Sequence, residues 1–109
     1  MTRIAIIATV LAVSASSAAA APPKTVTGTV EFGYAIHMNV STLKHGTYRL
    51  VIHDESPYHD FHLTGPGVDL ATDVGTTGTR TITLRLRKGV YRYFCDSHAG
   101  AMFGTLTVV

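Results

Sequence analysis

The chain has 109 residues, a formal net charge of +2, six histidines and a single cysteine. One cysteine excludes an internal disulfide, and the near-balance of charge leaves no basic run suited to nucleic acid. A chain of this size forms one small domain that buries roughly 65% of its unfolded surface, with no room for a separate substrate domain.

Residues 1–20 read as a removable export leader. Thr2-Arg3 supplies the positive start, Ile4 to Val13 is mostly apolar, and the small residues from Ser14 to Ala21 offer cleavage after Ala20. The apolar run is shorter than the roughly 20 residues that span a bilayer, which argues against a membrane anchor. The expected mature domain is 21–109, in the periplasm or outside the cell. In such a compartment a lone cysteine is a free thiol, an intermolecular partner or a metal ligand.

Lys24 to Val30 alternates and predicts a strand. In Glu31 to Val40, Tyr34, Ile36, Met38 and Val40 share one parity, which predicts a second, weaker strand with His37 facing solvent. A turn from Leu43 leads into a strand from Tyr48 to His53, and Asp54 to Tyr58 is a polar, proline-containing break. His59 to Leu63 predicts a further strand, ended by Thr64-Gly65-Pro66-Gly67, and Val68 to Gly78 is turn-rich. Thr79 to Arg87 alternates strictly, with Ile82, Leu84 and Leu86 on one face. After Arg87-Lys88-Gly89 turns the chain, strands are expected at Val90 to Cys95 and Gly104 to Val109. The basic residues Arg80, Arg85, Arg87, Lys88 and Arg92 suit a solvated sheet face. With no helical periodicity outside the leader, about six to eight short strands imply an all-β sandwich or barrel.

Chemistry concentrates between the last two strands. Cys95, His98 and Met102 fall within eight positions, and a thiol, an imidazole and a thioether share an affinity for soft or borderline metals. Parity places Tyr91, Tyr93 and Cys95 on one face and Arg92, Phe94 and Asp96 on the other, so the thiol points inward. In the earlier strand His59, Phe61 and Leu63 share the apolar face, while Asp60, His62 and Thr64 point away. His59 therefore supplies the fourth group, with His62 as its rival. Two imidazoles, one thiolate and one thioether suit a copper ion cycling between Cu(I) and Cu(II).

The stretch Cys95-Asp96-Ser97-His98-Ala99-Gly100-Ala101-Met102, with its flanking strands and the upstream His59-Asp60-Phe61, resembles the cupredoxins, the small blue copper proteins. It is most similar to the plastocyanin, pseudoazurin and amicyanin group. The resemblance implies a cupredoxin-like Greek-key β-sandwich holding one type 1 copper, with His59, Cys95 and His98 equatorial and Met102 axial. It implies a monomeric one-electron carrier rather than an enzyme, docking redox partner proteins near His98 through a site that the small Ala99, Gly100 and Ala101 leave uncovered. Storage or delivery of copper by the same ligands is the alternative. Asp60 stands where the family usually has asparagine, and an aspartate there can accept a hydrogen bond from a loop N–H or from Ser97.

Overall fold

The computed structural model describes Thr2, residues 4–14 and residues 21–109. Most of the expected small-residue tract, and the cleavage point after Ala20, lie outside the described residues. Residues 4–14 form neither helix nor strand, and apolar side chains such as Ile6 and Val13 are almost fully exposed. Among the described residues no helix is long and apolar enough to cross a membrane.

Strand periodicity builds the domain. The described residues contain β1 (Lys24–Val30), β2 (Ile36–Met38), β3 (Thr42–Leu43), β4 (Gly46–Asp54), β5 (His62–Gly65), β6 (Val68–Ala71), β7 (Gly78–Leu86), β8 (Gly89–Phe94) and β9 (Phe103–Val108). They form a four-stranded sheet in the order β2-β1-β4-β7 and a five-stranded sheet in the order β3-β9-β8-β5-β6. The expected all-β architecture is present, with nine strands where the pattern predicted six to eight. The additions are β3, which exists through its pairing with β9, and β6, which lies in the turn-rich stretch and pairs with β5. Such short strands are specified by their neighbours, so no local pattern announces them.

Alternation decides which side chains enter the core. Val26, Gly28 and Val30 of β1 point inward, and Tyr48, Leu50 and Ile52 of β4 do the same. The two strands run parallel with Val26 opposite Leu50, so their inward rows align. The facing sheet contributes Leu63, Tyr91, Tyr93 and Leu106. Phe61 stacks on Tyr93 with centroids 5.8 Å apart and lies close over Gly28, where an added Cβ would stand 2.6 Å from its ring. The core therefore reaches directly behind the segment that carries His59.

Two expected strands are shorter than their patterns. Regular pairing begins only at His62, so residues 59–61 belong to a loop. Phe61 N–H instead donates to Thr72 Oγ1 (2.9 Å), and Thr72 N–H donates to Phe61 O (3.0 Å). Asp60, expected to face solvent, is consequently buried. The second strand keeps only Ile36–Met38. Tyr34 falls in a turn closed by Glu31 N–H donating to Ala35 O at 2.9 Å, which breaks its parity with Ile36.

Register brings the chemical residues together. β5 and β8 are antiparallel neighbours with His62 opposite Phe94, so the residues entering β5 and leaving β8 lie at one end. β9 returns with Phe103 opposite Phe94, closing the loop 95–102 at the same end.

At the far end Tyr91 ties three segments. Its hydroxyl donates to Pro66 O (2.7 Å) and accepts from Arg87 N–H (2.9 Å), while its ring lies against Gly65, which has no side chain to obstruct it. Tyr91→Phe leaves both backbone groups without that partner. A loss of about 1–3 kcal/mol in urea unfolding is the expected result.

Candidate metal centre

Cys95 leaves β8 in extended conformation and is fully buried. The chain then turns through a single 3₁₀ turn, Asp96–His98, and backbone hydrogen bonds fix its course. His98 N–H donates to Cys95 O (3.1 Å), Ala101 N–H (2.9 Å) and Met102 N–H (2.8 Å) both donate to His98 O, and Cys95 N–H donates to Met102 O (3.1 Å). Arg92, stacked over Phe94 and Phe103, donates to Ala99 O at 2.8 Å from outside. Arg92 and Arg80, read from the sequence as part of a solvated face, are exposed but each holds a backbone carbonyl.

The loop 55–61 is held by short polar side chains. Asp54 Oδ1 accepts from Ser56 N–H (3.0 Å), Ser56 Oγ accepts from Tyr58 N–H (3.1 Å), and Phe61 anchors the exit in the core. These two side-chain turns substitute for a strand ladder. His59 emerges buried, only 3% exposed.

Three lone-pair donors converge. His59 Nδ1 and His98 Nδ1 are 3.1 Å apart, and Cys95 Sγ lies 3.7 Å from the first and 3.6 Å from the second. A triangle with these edges has a centre about 2.0 Å from each corner, close to the bond lengths of imidazole (~2.0–2.1 Å) and thiolate (~2.3 Å) to a metal ion such as zinc. The three residues could hold a metal ion. Met102 is buried in the same loop, bonded through its backbone to Cys95 and His98. The structure thus brings together His59, Cys95 and His98, with Met102 beside them in the chain. His62, the rival of His59, is engaged elsewhere.

That engagement forms a second polar group. His62 Nε2 pairs with Asp69 of β6 at 2.5 Å, and its Nδ1 pairs with Asp96 at 2.9 Å. Asp96 N–H in turn donates to Asp60 Oδ1 at 2.7 Å, a direct tie between the two loops and one of the two partners expected for that carboxyl. Asp60, His62 and Asp96 also lie close enough to hold an ion, but each is already hydrogen-bonded.

The charges sort themselves along this chain. Burial pushes the Asp60 carboxyl up, and the neighbouring Asp96 carboxylate pushes the same way, against the pull of Asp96 N–H and Cys95. Asp96 lies below the usual carboxylate range because Asp60 hydrogen-bonds to it and His62 stands beside it. These directions make Asp60 the more readily protonated of the two carboxyls and Asp96 the more readily ionised. For His62, burial opposes the charged ring, but its hydrogen bonds to the Asp69 and Asp96 carboxylates outweigh it and raise its value.

Sequence reasoning missed two features. Tyr34 was read as part of a strand, yet its ring packs against His59 and His98. The only available signal was the aromatic spacing Phe32-x-Tyr34 in an irregular segment. Pairing of His62 with Asp96 joins residues far apart in the chain and carries no local signal, and pairing with Asp69 depends on the β5–β6 hairpin that the sequence reading did not include.

No protein-family model matches the sequence, and no curated protein matches it. Solved structures do. Dithionite-reduced auracyanin from the photosynthetic bacterium Roseiflexus castenholzii superposes with a TM-score of 0.57 at 20% identity, covering 83% of this chain and 99% of that one. A methionine-to-glutamine variant of rusticyanin gives 0.59 at 19% identity, covering 78% and 76%. Auracyanin A, a "blue" copper protein from Chloroflexus aurantiacus, gives 0.55 at 17% identity, covering 81% and 100%. These likenesses show the fold, which is the cupredoxin fold.

The raised His62 value has a consequence for the metal-free protein. Its contribution to stability is fully present below the unfolded histidine value of about 6.5 and is lost as pH rises through the folded value. Urea midpoints measured from pH 5.5 to pH 9 should therefore fall more steeply for the wild type than for His62→Gln. Parallel curves would show that the ion pairs contribute nothing.

Proposed function

We propose that this chain is an exported mononuclear type 1 copper protein that carries single electrons between redox partner proteins. The convergence of two Nδ1 atoms and one Sγ on a single point, in a fold shared with blue copper proteins, carries this reading. Copper bound there would supply a one-electron couple between Cu(I) and Cu(II). His59, Cys95 and His98 would hold the ion, with Met102 as the further ligand. The donor set fits copper better than zinc, because a thioether is a poor fourth partner for zinc.

The chain's own residues supply rigidity. Each backbone hydrogen bond within 95–102, and the tie from Asp96 to Asp60, restricts movement of a donor when the charge at the centre changes. Small movement means small rearrangement on electron transfer. Burial of Cys95 protects the thiolate from oxidation in an oxidising compartment. His98 is the one nitrogen donor that is partly exposed, so it is the natural point of electron entry and exit, and partners would dock around it. Delivery of copper would call for accessible, exchangeable ligands, and His59 and Cys95 are 3% and 0% exposed. Residues 1–20 would be the export leader and 21–109 the working domain, acting as a monomer.

Copper loading followed by visible spectroscopy tests the proposal. The wild type should show an intense thiolate-to-copper charge-transfer band, as should His62→Gln. Cys95→Ser should abolish it, and His59→Gln should weaken it or abolish it. A colourless copper-loaded wild type would overturn the type 1 reading. Bleaching by His62→Gln with a band preserved in His59→Gln would overturn the ligand assignment.

A further inference from the structure

The turn between β1 and β2 sets an aromatic ring against both imidazoles of the candidate centre. Tyr34 is 72% exposed, yet its ring meets His98 edge-on, with centroids 5.1 Å apart and planes at 83°. The same ring tilts toward His59 at 5.5 Å and 57°. His59 and His98 meet each other at 4.8 Å and 79°, so the three rings are in mutual contact. Phe32 and Tyr58 form a separate edge-on pair at 6.2 Å along the same rim. Together these side chains line an open groove of about 570 Å³ that ends on the two histidine rings.

Exposed aromatic side chains are ordinary when they stand alone. Tyr34 does not stand alone, because it touches the two groups whose orientation decides whether a metal is held. The neighbours of His98 in its own loop, Ala99, Gly100 and Ala101, have too little side chain to restrain an imidazole. Backbone hydrogen bonds fix the His98 main chain but leave its side-chain torsions free. The ring meets Cys95 Sγ and His59 Nδ1, and Tyr34 packs against it and against the His59 ring.

We propose that Tyr34 is a positioning residue for the metal centre: its ring holds the His98 imidazole in the coordinating orientation and covers the centre on the β1–β2 side. This inference rests on the copper reading above. Among the described donors His98 is partly exposed where His59 and Cys95 are buried, so rotation of its ring opens the path for metal loss. Restraining that rotation slows the loss. The contact is made by the ring, since the Tyr34 hydroxyl forms no hydrogen bond among the described residues, and phenylalanine should therefore serve equally well. An edge-to-face aromatic contact of this kind corresponds to roughly a two- to tenfold change in an equilibrium or rate.

The test follows Cu(I) capture by a strong chelator from copper-loaded wild type, Tyr34→Ala, Tyr34→Phe and Phe32→Ala. Tyr34→Ala should release copper roughly two- to tenfold faster than the wild type. Tyr34→Phe should restore the wild-type rate, and Phe32→Ala, which alters the same turn without removing the histidine contacts, should leave it unchanged. Equal rates in all four proteins overturn the inference while leaving the copper reading intact. Failure of phenylalanine to rescue, or an equal acceleration in Phe32→Ala, also overturns it by assigning the effect to the hydroxyl or to a loosened turn. A wild type that takes up no copper overturns the copper reading and this inference with it.

Discussion

The pairing of β5 with β8, with His62 opposite Phe94 and Leu63 opposite Tyr93, is the constraint on which the rest of the centre depends. Leu63 and Tyr93 are both buried, so the inward faces of the two strands lock the register. A slip of one residue would turn Leu63 outward and separate the loop before β5 from the loop after β8. With the register in place, Asp60 stands within 2.7 Å of the Asp96 amide, and His59 and Cys95 inherit their mutual positions from that short tie. Residues in loops thereby acquire the precision of residues in strands.

A buried thiol and two imidazoles are costly companions for charge, and the surroundings limit how much charge they meet. Asp69, His62, Asp96 and Asp60 form a line of hydrogen-bonded groups from β6 to the loop 55–61. His62 sits between two carboxylates that favour its charged form, and burial shifts the innermost carboxyl, Asp60, toward its neutral form. Asp69 and Asp96 lie toward solvent, where water offsets charge, while Asp60 is the buried member of the line. The same line braces the ligand loop mechanically, because Asp96 immediately follows Cys95. Electrostatic shielding and positioning are here two effects of one set of bonds.

Much of this was legible from alternation. Parity from Tyr91 to Cys95 placed the thiol inward, and it is buried. The limits of β1 were read correctly because Lys24 to Val30 alternates without interruption. Parity also placed His59 inward, but through a strand that does not extend that far. His59 is buried by the Asp54 and Ser56 turns and the Phe61 anchor, and the same parity misplaced Asp60. Alternation reports a ladder only where a neighbouring strand is present, and at residues 59–61 Thr72 takes the neighbour's place. Tyr34 was lost for a similar reason: a turn set by one backbone hydrogen bond decided where its ring points. Pairings across the fold, such as His62 with Asp96, depend on register and leave no trace in a local window.

The two ends of the sandwich are fastened by different chemistry, and the difference divides stability from function. At the far end, tyrosine hydroxyls and main-chain groups do the fastening: Tyr91 to Pro66 and Arg87, Tyr48 to Lys44 O at 2.6 Å, and His45 to Val109 O through both its amide and its ring. These bonds join strand ends directly and involve no member of the candidate centre. At the site end, the fasteners are the carboxylates and hydroxyls of Asp54, Ser56, Asp60 and Asp96, which hold loops rather than strands. A domain without disulfides must draw its stability from the core and such ties, and the far end supplies ties that are independent of the candidate centre. The site end can then keep a cysteine, three histidines and an exposed tyrosine in an arrangement selected for chemistry. Loosening there would alter the centre before it unfolded the sandwich, because the register that unites the loops is secured by Leu63 and Tyr93 in the core behind them.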